Sequence, residues 1–188
     1  MRDRVGPSCL AAALALALAA PACAQRLALE LTAGAAVGRY SETGAGLELL
    51  PGPSFGATLE AEVSESLAAY AGYVRSSFGC EEGFCADRDV TLTSQGAVLG
   101  GRWSAGLPWV RAGVTLQSLD VDAAGAGEST DAALGWDLGA GIQLAVGGRT
   151  RIRPGVAYRR HGASTDRSDG HAGVLALHVG VAVALGGG

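Results

Sequence analysis

The chain of 188 residues contains no lysine, and only 17% of its residues are charged and 5% are aromatic. A soluble β-domain normally carries more charge on its surface than this. Beyond residue 24 there is no run of 18 or more consecutive apolar residues, which argues against a helical membrane protein. No basic stripe is present, so nucleic-acid binding is not expected. These absences direct attention to β-structure.

Cysteine is scarce as well. Of the four cysteines, Cys80 and Cys85 alone lie beyond the N-terminal segment, and they close a Gly- and acid-rich stretch. In an exported protein such a close pair predicts a disulfide that staples a loop. The alternative is a metal site, but two cysteines without a nearby histidine make a poor one. No metal or other cofactor is therefore expected.

The N-terminus has the parts of an export signal. A basic start (Met1–Arg4) precedes an uncharged, Ala/Leu-rich stretch at 9–20, and Ala22-x-Ala24 fits a signal-peptidase site. The apolar stretch is too short to span about 30 Å of hydrocarbon as a helix. The sequence thus predicts a signal peptide at 1–24 and one domain at 25–188. Acylation of Cys23, as in a lipoprotein, is the alternative.

The remaining chain alternates large apolar with small residues. The clearest case is 175–185, where every odd position is Leu or Val and the even positions are mostly Ala or Gly. A period of two indicates β-strands, because successive side chains point to opposite faces. Eight strands are predicted, at about residues 26–39, 53–64, 67–77, 89–104, 108–119, 131–146, 149–161 and 172–185.

The predicted connections alternate in length. Short turns are expected near 64–66, 104–107 and 147–148, whereas longer polar loops are expected near 40–52, 78–89, 120–131 and 161–171. This alternation is typical of bacterial outer-membrane barrels, in which the long loops face outside the cell. The predicted fold is therefore all-β, an eight-stranded antiparallel up-and-down transmembrane β-barrel.

The less apolar face of the strands is mostly Gly and Ala with few charges. This is a poor surface for a soluble, lipocalin-like barrel, and a suitable lining for the narrow lumen of an eight-stranded one. A closed barrel also satisfies its backbone hydrogen bonds in lipid. Isolated charges in the lumen would be costly, so a paired network is expected there. Its predicted members are Glu30, Glu60, Glu62, Asp137, Arg75, Arg102, Arg111, Arg151 and Arg153.

Several aromatic residues lie near the predicted strand ends. Rings at the two membrane–water interfaces form girdles in membrane proteins, although ordinary packing is the alternative for each ring. The candidates are Phe55, Tyr70, Trp103, Trp109, Trp136 and Tyr158.

A signal peptide, eight alternating strands and an interior of Arg and Glu resemble the small eight-stranded outer-membrane barrel family. Its familiar members are the transmembrane domain of OmpA and the OmpX-type proteins. The resemblance implies Sec-dependent export to the cell outer membrane and insertion by the barrel assembly machinery. It also implies contact with outer-membrane lipids and lipopolysaccharide, and an extracellular ligand bound through the loops.

Four hypotheses for the function remain open from the sequence. The leading hypothesis is a non-enzymatic surface protein with a structural or interaction role through its loops. A lipid A-modifying enzyme is an alternative, but residues 160–166 do not match the His-x-Ser-Asn pattern of a PagL-like deacylase, and no catalytic residue is assigned. A small-solute pore is disfavoured by charges in so narrow a lumen. A soluble periplasmic binder would require the two faces to be exchanged.

Overall fold

The computed structural model describes residues 26–42, 45–80, 90–123, 126–163 and 170–186. The predicted signal peptide, together with Gln25, lies outside this part of the chain, and so does Cys85 of the predicted disulfide. Among the described residues no helix is long and apolar enough to cross a membrane.

The described chain forms ten strands in one antiparallel sheet. β10 pairs with β1 along its full length, from Leu27 opposite Leu185 to Glu42 opposite Gly170, and this pairing closes the sheet. Their bounds are β1 (Leu27–Glu42), β2 (Ala45–Glu62), β3 (Leu67–Cys80), β4 (Val90–Ser104), β5 (Pro108–Ala123), β6 (Ala126–Ser129), β7 (Ala133–Ile142), β8 (Leu144–Val146), β9 (Thr150–Gly162) and β10 (Gly170–Leu185).

Eight of these strands make the wall of the barrel. β8 continues β7 beyond Gln143 and pairs with the same neighbour, β9, so the two count as one wall strand. β6 is a short addition to the end of β5. The predicted eight-stranded antiparallel barrel is therefore confirmed, with one of the predicted strands, at 131–146, broken into two pieces.

The large apolar side chains point away from the lumen. On β10, Leu177 and Val179 are 70% and 50% exposed, whereas the neighbouring Ala176 is 2% exposed. The stretch from Leu175 to Leu185 is about 33 Å long at ~3.3 Å per residue, and a tilt of about 40° gives a height of about 25 Å. This height matches the apolar band of an outer-membrane barrel.

The aromatic candidates divide between the two faces. Tyr70 and Trp109 are buried in the lumen, with 3% and 2% exposure, so they are not girdle residues. The rings of Trp136 and Tyr158 pack against each other on the outer face, with centroids 5.1 Å apart. The candidates exposed on the outer face are Phe55, Trp103, Trp136 and Tyr158, and Tyr73 is exposed there as well.

The strands at the end opposite the termini are longer than predicted. β1 reaches Glu42 and β2 begins at Ala45, so most of the predicted loop at 40–52 is strand. The extension follows from an inward apolar cluster that its side chains help to fill. The buried members of this cluster are Ala36, Leu49, Phe78, Cys80, Val90, Leu92, Leu119, Ala163, Ala172, Val174 and Ala176.

The turns at the end nearest the termini are short, as predicted. They span residues 63–66, 105–107 and 147–149. Gly106 and Gly147 have φ values of 68° and 77°, a conformation that residues with a Cβ rarely adopt. In an outer-membrane barrel this end faces the periplasm and the extended end faces outside the cell.

Candidate functional site: the barrel lumen and its extracellular rim

The periplasmic half of the lumen holds a buried cluster of four charges. Glu30, Glu60, Arg102 and Arg153 come from four different strands, and each is at most 5% exposed. Arg102 donates to both oxygens of Glu60 and, at 3.2 Å, to Glu30. Arg153 donates to Glu30 at 2.6 Å and to Glu60 at 2.9 Å. Two cations therefore share two anions, and the cluster is neutral overall.

A second polar group lies next to this cluster. Asp137 is fully buried, with 0% exposure, and accepts a hydrogen bond of 2.9 Å from the Tyr70 hydroxyl. Its second partner is Arg111, whose Nε lies 3.0 Å from Oδ2 and whose guanidinium carbon lies 5.6 Å from the centroid of the Tyr70 ring. Tyr70 can reach across from β3 because Gly100 and Gly113 present no side chain beneath its hydroxyl.

Towards the extracellular end the lumen is lined by hydroxyls. Arg159, which is 3% exposed, donates to the Ser76 hydroxyl at 3.2 Å, and Ser76 lies 2.8 Å from the Ser54 hydroxyl. The Ser94 hydroxyl lies 3.0 Å from Nε2 of His161. The other ring nitrogen, Nδ1, lies 2.9 Å from the carbonyl oxygen of Gly162, which can only accept. The Ser94 hydroxyl has two acceptors within reach, the imidazole and, at 3.4 Å, the side-chain oxygen of Gln117.

The structure brings most of the predicted network together. Glu30, Glu60, Asp137, Arg102, Arg111 and Arg153 face the lumen, whereas Glu62 and Arg151 pair at 3.4 Å on its periplasmic rim, where their side chains are 33% and 45% exposed.

Arg75 departs from the prediction. Its side chain is exposed on the outer face of β3, and Tyr70 and Val74 occupy the inner face instead. Alternation on β3 has little contrast, because its outer face includes Ala69 and Ala71. Arg159 was not assigned to the network, although it shares its face of the strand with Arg153 and so could have been found from the same parity.

The outer surface of β3, β4 and β5 turns polar directly above the apolar band. The Tyr73 hydroxyl donates to Gln95 at 2.9 Å, and the Gln95 amide donates to Asp120 at 2.6 Å. Asp120 also accepts from the hydroxyl of Ser129. Arg75 is the register partner of Gln95. This polar row marks the height at which the barrel leaves the hydrocarbon.

The interior is therefore filled along its length. Ion pairs occupy the periplasmic half, hydroxyls and an imidazole follow, and the apolar cluster around Phe78 and Leu92 closes the extracellular end. Among the described residues no group of three or more His, Cys, Asp or Glu side chains could hold a metal ion. The chemistry of the lumen is that of a plug held together by its own ion pairs and hydrogen bonds.

Comparison with known proteins agrees with this architecture. The profile of the family described as "Outer membrane protein beta-barrel domain" matches residues 10–182, which is most of the chain. The chain belongs to this family. Its place is therefore the outer membrane, and the end with short turns is the periplasmic one. A search of curated proteins finds no significant match.

Solved structures of similar fold come from other outer-membrane barrels. Neisserial surface protein A (NspA) is 20% identical, with a TM-score of 0.58, and the alignment covers 84% of this chain and 99% of NspA. Ail, the attachment invasion locus protein of Yersinia pestis, is 18% identical, with a TM-score of 0.51 over 83% and 98% of the two chains. At these identities the likeness shows a shared fold.

Proposed function

We propose that the protein is a non-enzymatic surface barrel that binds a basic protein partner through its extracellular end. The observation that carries the proposal is the charge of that end. Residues 40–52, 81–89, 120–131 and 161–171 hold 12 of the 17 carboxylates found beyond residue 24, whereas these segments together with the flanking Arg39 and Arg160 hold four of the 12 arginines. A surface of one sign steers and selects partners of the opposite sign.

The filled lumen supports the hypothesis that the barrel is a scaffold for its extracellular segments, and it argues against a pore. An eight-stranded barrel leaves room only for its own side chains, and here Arg153 and Asp137 are 1% and 0% exposed within it. Ions would have to displace a hydrogen-bonded network of buried charges, which is costly to break. The wall therefore serves to hold the extracellular segments in place.

The pair of Ser94 and His161 is the feature that would favour an enzyme. A serine hydroxyl donating to an imidazole is the arrangement of a nucleophile and its base. Ser94 and His161 are, however, 3% and 1% exposed, and Nδ1 of the imidazole is directed at a backbone carbonyl in place of a carboxylate. A buried pair without access to substrate supports a structural role, and a fluorophosphonate probe that fails to label Ser94 would agree with it.

Two further elements complete the proposal. Residues 1–24 are removed on export, and a disulfide between Cys80 and Cys85 staples one of the acidic loops. Ail was crystallised with sucrose octasulfate, a heparin analogue. The acidic end of the present chain would repel such a polyanion, so its partner carries the opposite charge.

A lysine-rich probe tests the proposal. The full mature protein, reconstituted in nanodiscs of uncharged lipid, is titrated with a poly-lysine peptide at low and high salt. We expect binding that weakens as salt screens the charges. A variant in which Glu81, Glu82, Asp87 and Asp89 become Gln or Asn should bind less tightly, whereas Glu65→Gln, on a periplasmic turn, should bind as the wild type does.

Two results would overturn the proposal. One is a loop variant that binds the peptide as tightly as the wild type does, since the loop charges would then be irrelevant. The other is steady ion conductance of the wild type in a planar bilayer, because the lumen would then be a pathway.

A further inference from the structure

The periplasmic mouth of the lumen contains a pocket that the proposed function does not use. Its volume is about 170 Å³, and residues of β1, β2, β8, β9 and β10 and of the turn between β8 and β9 line it. The charged residues of this lining are four arginines and one glutamate: Arg26, Arg149, Arg151, Arg153 and Glu62. The mouth is therefore cationic, whereas the opposite end of the barrel is rich in carboxylates.

The arginines of β9 and its preceding turn share one side of the chain. Arg149 and Arg151 are two and four positions from Arg153, which is buried in the lumen. Residues two apart on a strand point to the same face. The amide of Ala184 donates to the carbonyl oxygen of Arg149 at 2.9 Å, so the sheet continues to this residue. Arg149 and Arg151 are thus on the lumen side of the wall.

Arg26 has the same placement on the other side of the pocket. It directly precedes β1 and is four positions from Glu30, which is buried in the lumen. The amide of Glu62 donates to the carbonyl oxygen of Arg26 at 3.1 Å, which extends the sheet to Arg26. The pocket therefore lies inside the barrel wall, and a ligand enters it from the aqueous periplasm and not from the lipid.

Alanines keep the space between these arginines open. Ala28 on β1 is the register partner of Ala184 on β10, and Ala182 on β10 is the register partner of Arg151. All three alanines line the pocket. At the entrance, a Cβ added to Gly147 or Gly148 would meet no atom within 4 Å. The small residues leave room for a ligand at the mouth.

Two of the four arginines are already neutralised. Arg151 meets Glu62 at 3.4 Å, and Arg153 belongs to the neutral buried cluster of two arginines and two glutamates. Within the described part of the chain, Arg26 and Arg149 take part in no ion pair. The pocket is thus left with two cations that lack a partner of opposite charge among the described residues.

Arg153 supplies an independent observation at the inner end of the pocket. It is 1% exposed, and its Nη1 donates to Glu30 and Glu60. Its Nε and Nη2 have no hydrogen-bond partner among the described residues. Together these two nitrogens carry three N–H donors. Buried donors without an acceptor are costly, and such groups mark places where a further polar partner is expected.

We propose that this pocket binds the phosphate group of a soluble periplasmic anion. Arg26 and Arg149 donate charge-assisted hydrogen bonds to the phosphate oxygens, and Arg153 offers its free donors from the inner end. The plug closes the lumen behind Arg153, so the anion is held at the mouth and is not passed across the membrane. The site lies at the end of the barrel opposite the acidic segments and is independent of them.

Amide NMR tests the site. The mature protein in micelles of an uncharged, phosphate-free detergent is titrated with glycerol 3-phosphate, with inorganic phosphate and glycerol as separate arms. The ionic strength is held at about 0.15 M, where charges more than about 8 Å apart are largely screened. Both phosphates should produce saturable shifts of the Gly147 and Gly148 amides, and glycerol should produce none. Arg26→Gln and Arg149→Gln should each weaken binding on the order of fivefold.

Three variants make the test specific. Glu62→Gln removes the carboxylate from the pocket and frees Arg151, so it should tighten binding on the order of threefold, a gain that misfolding cannot produce. Glu65→Gln removes a carboxylate at the same end of the barrel but outside the pocket, and Arg75→Gln removes a charge from the outer face. Both should bind as the wild type does. Heat-modifiable migration on SDS gels establishes that each variant is folded.

Three outcomes would overturn the assignment. An equal loss of affinity in Arg75→Gln would show diffuse attraction without a site. Equal shifts with glycerol would show that the phosphate group is not recognised. If phosphatidylglycerol added to nanodiscs of uncharged lipid produced the same shifts without any soluble phosphate, the arginines would bind a lipid headgroup and not a periplasmic solute.

Discussion

At the scale of single residues, burial separates two kinds of ion pair in this barrel. Arg153 is 1% exposed and donates to both Glu30 and Glu60, whereas the Arg151 side chain is 45% exposed and meets Glu62 at 3.4 Å. Removing one partner of a buried ion pair leaves the other charge buried without compensation. When one partner of an exposed ion pair is removed, water solvates the charge that remains. The two arginines therefore differ in what they contribute to stability.

We predict that Arg153→Met lowers the free energy of unfolding by about 3–5 kcal/mol. Arg151→Met, the matched variant two residues away on the same face, should lower it by less than about 1 kcal/mol. Urea titration in micelles measures both, with the folded fraction read from unboiled SDS gels. Equal losses would show that water reaches the Arg153 cluster, and the plug interpretation would then be wrong.

The alternation of residue types along a strand predicts which residues face the lumen only where the two faces of that strand differ in chemistry. Glu30 on β1 and Arg153 on β9 could be placed because their neighbours on the opposite face are large and apolar. Arg75 on β3 could not, since small apolar residues occupy both of its faces. The sequence also does not predict which side chains contact each other across the lumen. The contact between Tyr70 and Asp137 depends on the register of three intervening strand pairs, which alternation does not specify.

At the scale of strands, glycine determines which rings can lie flat across the lumen. A Cβ on Gly100 would lie 2.6 Å from the Tyr70 hydroxyl and 2.7 Å from the Gly113 Cα. A Cβ on the next residue, Gly101, would meet nothing nearer than the Ala68 carbonyl oxygen at 4.0 Å. The two glycines point to opposite faces of β4, so only the first makes room for Tyr70.

We predict that Gly100→Ala lowers the free energy of unfolding by about 1–3 kcal/mol, because it overpacks the lumen and displaces Tyr70 from Asp137. Gly101→Ala should change it by no more than about 0.5 kcal/mol. The same urea titration compares the two variants. If Gly101→Ala proved the more damaging, the two faces of β4 would have to be exchanged.

At the scale of the whole molecule, charge is sorted by height. Carboxylates concentrate at the extracellular end, outward arginines lie at the upper edge of the apolar band, and the lumen holds three buried carboxylates beside four arginines. Alternation and loop length predicted the barrel and its direction in the membrane. They did not predict the extracellular extension of β1 and β2, because Leu47 and Leu49 lie among turn-forming residues and their apolar partners are distant in sequence.

The position of the barrel in the membrane makes a prediction that depends on depth. Val179 lies at the middle of the apolar row of β10 and Leu185 at its periplasmic edge, and both are about half exposed to lipid. Arginine on the lipid face costs about 2–4 kcal/mol at the bilayer midplane and about 0–1 kcal/mol near an interface. Val179→Arg should therefore reduce the free energy of unfolding in lipid bilayers far more than Leu185→Arg does. Both residues lie on the outer face of the same strand, so only the change in surroundings from hydrocarbon to interface would make their effects differ. Similar effects of the two substitutions would therefore mean that this part of β10 does not cross the hydrocarbon.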